Sequence, residues 1–208
     1  FQHVPGWYAR KFLCHENWYM PCKGLSFAQY TSQWKERAKL LRQFKGEVTI
    51  DDSEVSIQAF FTVYSKSWKQ PEPHPSFMPE FIRMCKREGW LRICVVRWEG
   101  KPIGALFAIV RDDTAYFYKT AYDPQYPKLS AGKIAIAHMM RHVLDVDGVW
   151  EVDFGGGGNP AGDAYKKQWV THVRRRHGVV MCRLNHPVGI ARAALEAAGL
   201  VRKRLMPV

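Results

Sequence analysis

The stretch from Lys128 to Ile134 combines small and basic residues where a helix is expected to begin. The apolar spacing that follows predicts a helix from about Gly132 to Leu144. The first N–H groups of a helix have no intrahelical partner and carry partial positive charge, so phosphate groups bind there readily. An ordinary helix cap with Ser130 as its N-cap residue is the alternative. The phosphate-binding interpretation assigns the contacts to Lys128, Leu129, Ser130, Ala131, Gly132, Lys133 and Ile134.

A second stretch that could carry chemistry is the run Val152-Asp153-Phe154 and the glycines Gly155–Gly158 behind it. Four consecutive glycines cost backbone entropy, so such a loop exists where a ligand comes close or is simply a flexible surface loop. Asp153 ends a predicted strand and would either position a substrate amine or cap a turn. Further on, Tyr165 would either donate a proton to a leaving group or pack as an ordinary ring.

Weaker candidates lie elsewhere in the chain. Trp68 and Lys69 end a predicted helix before a proline-rich loop, and they would either line an acceptor pocket or serve as a core ring and a C-terminal cation. His138 and His142 have the i, i+4 spacing of metal ligands, but we expect no metal because no third ligand is evident. The basic run Arg174–His177 indicates either a solvated strand face or a phosphate contact.

The elements that must position these residues alternate between helix and strand. Three strands at Leu91–Trp98, Pro102–Arg111 and Thr114–Ala121 are joined by tight turns and predict an antiparallel meander. A helix, a strand at Trp150–Phe154 and a further helix follow. A strand pair around His177-Gly178 and an alanine-rich helix close the chain, whereas residues 1–24 predict an irregular lead-in with at most one strand. The expected fold is α/β, with a central mixed sheet and helices on both faces.

Composition sets outer limits on the class of protein. The 208 residues suit one domain with an extension, and we expect an N-terminal extension over residues 1–45 and the main domain over residues 46–208. The net charge of +12 favours a polyanionic partner or substrate such as a phosphorylated cofactor, tRNA, an anionic polymer or a membrane surface, unless it is a solvated basic surface. Five cysteines without a CxxC pair indicate reduced thiols in a cytoplasmic protein, and no apolar stretch predicts a membrane span.

The order of these elements, with a small-residue loop after a meander, resembles the GNAT superfamily of N-acetyltransferases. Several segments are similar to the CelD-type (BioF-like) branch, bacterial proteins linked to polysaccharide or cell-envelope biosynthesis. They are Tyr64–Lys69, Glu72-Pro73, Glu88–Arg92, Tyr118–Asp123, Leu129–Gly132, and Val152–Phe154 with Tyr165-Lys166 and Trp169. The usual phosphate loop of the family has an Arg or Gln and more glycines, whereas this chain has Lys128 and a single glycine, Gly132.

The resemblance implies transfer of an acetyl or other acyl group from acyl-CoA to an amine on a small molecule or a glycan. Direct attack by the amine is implied, with Tyr165 as general acid and Asp153 or a water chain as base. Trp68, Lys69, Tyr122 and Lys166 are expected to bind the acceptor. The run Asp153–Gly156 also resembles Fem-type aminoacyltransferases, which use aminoacyl-tRNA. A non-catalytic binding protein on the same fold is the third hypothesis.

Overall fold

The computed structural model describes residues 5–32, 35–67, 74–156 and 160–197. Two compact units form within the chain: the larger unit is Tyr19–Gly155, and the smaller unit joins Phe1–Trp18 with Gly156–Val208. The division predicted between residues 45 and 46 stays a prediction. Among the described residues no helix is long and apolar enough to cross a membrane.

Helices and strands alternate along most of the chain. In order, they are β1 Trp7–Pro21, α1 Phe27–Ser32, α2 Lys35–Gln43, β2 Glu47–Asp51, α3 Glu54–Lys66, α4 Phe77–Arg87, β3 Leu91–Trp98, β4 Lys101–Arg111, β5 Thr114–Tyr122, α5 Ala131–Asp145, β6 Glu151–Gly156, α6 Pro160–Lys166, β7 His172–Arg183 and α7 Pro187–Ala197. Local capping fixes some boundaries: the Ser53 side chain accepts the Ser56 N–H at 3.2 Å and starts α3.

The sheet of the larger unit has the order β2-β3-β4-β5-β6. Strands β2 to β5 pair antiparallel, so the predicted meander is confirmed. Between β4 and β5 the register shifts at Phe107/Ala108, and Tyr118 is the extra residue of this bulge. Strand β6 is parallel to β5, and their ladder joins Thr114–Tyr116 to Glu151–Asp153.

Alternation along the strands assigns the two faces of this sheet. Ala105 and Phe107 belong to a buried cluster with Phe60 of α3 and Ile82 of α4. The preceding residue, Gly104, faces the start of α5 instead, where an added Cβ would lie 2.7 Å from the Cβ of Ala131. Helices therefore cover both faces of a mixed sheet, which confirms the predicted α/β fold class.

The smaller unit contains a ladder between β1 and β7. The Leu184 N–H donates to the Gly6 carbonyl at 2.8 Å, and Arg175 pairs with Glu16 at 3.1 Å, so the two strands run antiparallel. On the inner side of the ladder, the Arg10 guanidinium of β1 lies 3.8 Å from the Glu196 carboxylate of α7. Most of the predicted irregular lead-in is thus a 15-residue strand.

The turn predicted at His177-Gly178 was wrong, because β7 continues through both residues. Gly178 is required by packing: an added Cβ would lie 2.6 Å from Sγ of Cys14 and 2.6 Å from Cζ of Phe12 on β1. A glycine inside a strand often marks such a close approach instead of a turn. The sequence around Gly178 shows the glycine but not the distant side chains that need it.

Candidate functional site

The predicted phosphate-binding stretch, Lys128–Ile134, is called the donor loop below. After β5 come the turn Asp123–Tyr126 and a short 3-10 segment, Pro127–Leu129. The donor loop consists of the end of this segment, Ser130 and the first turn of α5. Ser130 at the junction has φ 51° and ψ 37°, which is the left-handed region that a non-glycine residue enters at a cost of about 1–2 kcal/mol. A right-handed residue followed by a left-handed one turns successive N–H groups toward a common anion site.

The N–H groups of the four donor-loop residues after Ser130 divide into two sets. Those of Lys133 and Ile134 donate to the Ser130 carbonyl at 2.9 Å and 3.1 Å. Those of Ala131 and Gly132 begin α5, where no intrahelical acceptor exists. The Ser130 side chain makes no capping hydrogen bond, so this serine holds the N-cap position by its backbone conformation alone. Ala131 and Gly132 are thus the best placed backbone donors.

Gly104 of β4 is a residue that the sequence analysis did not single out. Its missing side chain lets the first turn of α5 lie directly on the sheet, since an added Cβ would be 2.9 Å from the carbonyl carbon of Ala131. This close approach fixes where the N-terminal end of α5, and with it the donor loop, meets the end of β5. The sequence feature that could have indicated this role of Gly104 is an isolated glycine within an apolar strand pattern.

Asp123 is a second residue with a role that the sequence did not reveal. It is 2% exposed, its Oδ1 accepts the Gln125 N–H at 3.0 Å, and its Oδ2 lies 3.5 Å from Nζ of Lys66 at the end of α3. The Asp123 N–H donates to the Ile103 carbonyl at 2.8 Å, which ties the turn to β4. The sequence feature that could have indicated this role is the Asp-Pro pair after a strand, which is typical of a turn. This carboxylate holds the turn that leads into the donor loop.

Tyr122, predicted to bind the acceptor, lies beside the donor loop. A methyl group on Gly132 would be 3.4 Å from Cδ1 of Tyr122 and 3.7 Å from Cγ2 of Thr120. The Tyr122 side chain is nevertheless 39% exposed. The ring therefore packs against the first turn of α5 with one part and is exposed to solvent with another.

Strand β5 has one edge that is paired for only part of its length. Its ladder with β4 reaches Tyr122, whereas the parallel ladder with β6 ends at the pair Tyr116–Asp153. Just past that pair the rings of Phe117 and Phe154 are in contact, with centroids 4.8 Å apart. Beyond them, the β5 edge from Tyr118 to Tyr122 runs toward the donor loop outside the ladder with β6. An extended ligand with amide groups can pair with such a strand edge.

Asp153, the predicted base, is the last residue of the β5–β6 ladder. It is 2% exposed, and its Oδ1 accepts the Gly155 N–H at 2.5 Å. Gly155 has φ +73°, a conformation that suits glycine. The carboxylate therefore caps the turn after β6, which was one of the two roles expected from the sequence.

The remaining predicted site residues are in other places. Tyr165 and Lys166 belong to α6 of the smaller unit, where both are partly buried and the Lys166 ammonium donates to the Gly156 carbonyl. Trp68 and Lys69 lie outside the described residues. Within the larger unit, the structure brings Tyr122 together with the donor loop.

His138 and His142 lie on α5, away from its N-terminal end. Burial lowers the pKa of His138 to about 4, with Arg141 adding to the effect, and burial also lowers the pKa of His142. The His142 ring lies 3.6 Å from Asp147, whose other oxygen accepts from Arg92 of β3 at 2.8 Å. In the described part of the chain no group of three metal-ligating side chains occurs. These side chains anchor the C-terminal end of α5.

Comparison with known proteins identifies the family. Residues 29–167 match the family model described as acetyltransferase (GNAT) domain, which is more than half of the chain. No curated protein sequence matches the chain.

Solved structures show the same fold at low identity. The crystal structure of FemX has a TM-score of 0.69 at 10% identity, covering 90% of this chain and 68% of that one. L-PGS from Bacillus licheniformis has a TM-score of 0.58 at 12% identity, covering 94% and 68%. The C-terminal domain of a putative lysylphosphatidylglycerol synthetase from Agrobacterium fabrum has a TM-score of 0.61 at 14% identity, covering 93% and 66%. With the family match over residues 29–167, the chain belongs to the GNAT acetyltransferases and is an acyltransferase.

Proposed function

We propose that the protein transfers an acetyl or other acyl group from acyl-CoA to an amine on a small molecule or a glycan. The observation that carries this proposal is the left-handed Ser130 at the start of α5, beside the end of β5 that lies beyond its ladder with β6. The pyrophosphate of CoA would accept from the N–H groups of Ala131 and Gly132. Lys128 and Lys133, both exposed, would add charge. The two amides of the pantetheine arm would pair with the edge of β5.

In the proposed reaction the amine attacks the thioester carbonyl directly. The new C–N bond forms, the C–S bond breaks, and the CoA thiolate takes a proton to leave as a thiol. Tyr165 is the proposed proton donor, and the proton lost by the amine goes to Asp153 or to water. Because one oxygen of Asp153 caps the Gly155 turn, the carboxylate is fixed in place whichever role it has. Rate enhancement would come mainly from positioning and from polarising the carbonyl.

Tyr122 and Lys166 are proposed to contact the acceptor, together with Trp68 and Lys69. Support for Tyr122 is its exposed ring beside the first turn of α5. The support for the other three is the family resemblance of their segments. The proposed cofactor is acyl-CoA used as a co-substrate, without a metal.

The distribution of charge favours CoA over tRNA at the donor loop. The larger unit, which contains the donor loop, holds nineteen Lys and Arg against sixteen Asp and Glu, a net charge of only +3. A tRNA donor would require many phosphate contacts, whereas CoA requires few. The Fem-type alternative, transfer from aminoacyl-tRNA, is kept because FemX shares the fold over 90% of this chain.

Titration with ligands tests the choice of donor. We expect acetyl-CoA to bind in calorimetry and to raise the midpoint of thermal unfolding. The variant Lys128→Ala/Lys133→Ala should bind acetyl-CoA about tenfold more weakly, since two exposed charge contacts contribute roughly 0.7 kcal/mol each. Lys39→Ala/Lys45→Ala removes the same charge from exposed positions elsewhere and should leave binding unchanged. Binding of aminoacyl-tRNA with no binding of any acyl-CoA would establish the Fem-type alternative instead.

The acid role of Tyr165 has a separate test. Tyr165→Phe removes only the hydroxyl, so we expect kcat to fall about 100-fold while the Kd for acetyl-CoA stays the same. The measurement is release of free thiol from acetyl-CoA over a panel of amines. Unchanged turnover would show that Tyr165 is not the general acid. It would not affect the proposal that acyl-CoA is the acyl donor.

A further inference from the structure

Positive charge is concentrated in the smaller unit. This unit holds twelve of the 31 lysines and arginines but three of the 19 aspartates and glutamates, a net charge of +9 in about a third of the chain. Of these cations the proposed acyl transfer uses only Lys166, because the donor loop lies in the larger unit. The surplus therefore needs a different explanation.

Exposed apolar side chains are concentrated in the same unit. Among the described residues sixteen large apolar side chains are exposed, and nine of them belong to the smaller unit. The nine are Trp7, Leu13, Val173, Val179, Met181, Leu184, Val188, Ile190 and Leu195. Scattered exposed apolar residues are ordinary, but their combination with dense positive charge is informative.

Alternation along β1 and β7 places many of these residues on one face of the ladder. The half-buried Phe12, Cys14 and Gly178 meet on the inner face. The alternate residues form what is called here the outer face, and all of them are exposed. Its members are Trp7, Ala9, Lys11, Leu13 and His15 of β1, and Val173, Arg175, His177, Val179, Met181 and Arg183 of β7. No acidic residue occupies any of these positions.

We infer that the outer face binds the surface of an anionic phospholipid bilayer. Lys11 and Arg183 would contact the charged headgroups, since cations near such a leaflet are attracted to it. Arg175 is already paired with Glu16 at 3.1 Å. Trp7, Leu13 and Met181 would enter the boundary between headgroups and acyl chains, as apolar faces beside basic residues do. A strand ladder with exposed apolar and basic side chains on one face meets both requirements at once.

Two other occupants fit the outer face less well. RNA would use the cations and could stack on Trp7, but it has no use for the aliphatic Leu13, Val179 and Met181. A second copy of the chain in a symmetric contact would place this basic face against itself, where like charges repel. An anionic bilayer is the partner that uses both the charge and the apolar side chains.

Vesicle co-sedimentation of the whole chain tests this inference without any measurement of acyl transfer. We expect binding to phosphatidylcholine vesicles containing about 30% phosphatidylglycerol, little binding to pure phosphatidylcholine, and weaker binding in high salt. The variant Lys11→Gln/Arg183→Gln should partition about 25-fold less, at about fivefold per cation. The control variant Lys39→Gln/Lys45→Gln has the same loss of charge in and just beyond α2 and should bind like the wild type.

A second variant separates the apolar contribution from the charge. Leu13→Ser/Met181→Ser should bind anionic vesicles at least about tenfold more weakly, because each side chain lost removes buried apolar area. Circular dichroism and the midpoint of thermal unfolding must match the wild type for each variant. Equal binding to neutral and anionic vesicles, equal losses in the control variant, or displacement from vesicles by stoichiometric unfractionated tRNA would each overturn the inference. A dimer that dissociates in Leu13→Ser/Met181→Ser would also overturn it.

Discussion

The buried carboxylate of Asp123 organises the turn before the donor loop. Asp123→Ala removes both the acceptor for the Gln125 N–H and the partner of Lys66. We expect a loss of about 1–3 kcal/mol in the free energy of unfolding, because the turn loses the hydrogen bond accepted by the buried, charged Asp123 carboxylate. Acetyl-CoA should also bind several-fold more weakly, since the turn leads into the donor loop. Urea unfolding and calorimetry measure the two effects.

Two milder variants tell the turn and the ion pair apart. Asp123→Asn keeps an oxygen that can accept the Gln125 N–H, and Lys66→Gln removes only the cation. Since the Lys66 side chain is 53% exposed, we expect Lys66→Gln to cost less than about 1 kcal/mol. If Lys66→Gln lowers the free energy of unfolding as much as Asp123→Ala, the stabilisation comes from the ion pair and not from the hydrogen bond in the turn.

His138 should make the stability of the fold depend on pH. Burial lowers its pKa to about 4 from the ordinary value of 6.5, so the unfolded chain takes up a proton before the folded chain does. The stability contributed by the neutral ring is complete above pH 6.5 and is lost as the pH falls toward 4. Between about pH 7 and pH 5 we expect a loss of about 1 kcal/mol, after allowance for solvent screening of a partly exposed ring.

Urea unfolding of the wild type and of His138→Gln at both pH values measures this contribution. The pKa of His142 is lowered as well, so both proteins should lose stability in acid. Only the difference between them belongs to His138, and it should have the sign given above. Identical pH dependence in the two proteins would contradict the prediction.

At the level of elements, the position of α5 depends on the absence of a side chain at Gly104. In Gly104→Ala the new Cβ would lie 2.7 Å from the Cβ of Ala131 and 2.9 Å from its carbonyl carbon. Because backbone atoms are involved, the first turn of α5 must move away from β4. We expect a loss of about 1–3 kcal/mol in stability and weaker binding of acetyl-CoA. Thermal unfolding and calorimetry are the measurements.

Gly132→Ala is the matched control, because Gly132 belongs to the first turn of α5, which Gly104 contacts. There the nearest atom to an added Cβ is Cδ1 of Tyr122 at 3.4 Å, which is an ordinary contact. Alanine is also the better helix former by about 1 kcal/mol, so Gly132→Ala should be at least as stable as the wild type. Equal destabilisation by the two substitutions would show that Gly104 has no special role in placing α5.

Local signals predicted most elements of the larger unit and both helices of the smaller unit, α6 and α7, but not the long strands β1 and β7. The meander follows from alternation and tight turns, and the start of α3 from the cap at Ser53. The left-handed backbone of Ser130 could not be foreseen, because serine rarely adopts it and nothing local demands it. The roles of Gly104 and Gly178 depend on residues far away in the chain, so no local pattern could separate a close approach from a turn.

For the whole molecule, the two units differ in how completely they bury their apolar side chains. Ile93 of β3 and Leu106 and Phe107 of β4 are fully buried, whereas the exposed Val179 and Met181 lie on β7. Local opening is easier where few apolar contacts are lost. Because the smaller unit also carries a net charge of +9, mutual repulsion lowers its stability further at low salt. The larger unit should therefore be the more stable part of the fold.

Native-state hydrogen exchange tests this difference residue by residue. Amides of β3 and β4 should exchange only through global unfolding, and those of β7 and α7 on the order of 100-fold faster through local opening. Raising the salt from about 50 mM to about 500 mM should slow exchange in β7 more than in β4, because screening removes repulsion that acts mainly in the smaller unit. If β7 and β4 exchange together without denaturant and respond alike to salt, the chain opens as one cooperative unit. The difference in apolar burial between the two units would then not be accompanied by a difference in local stability.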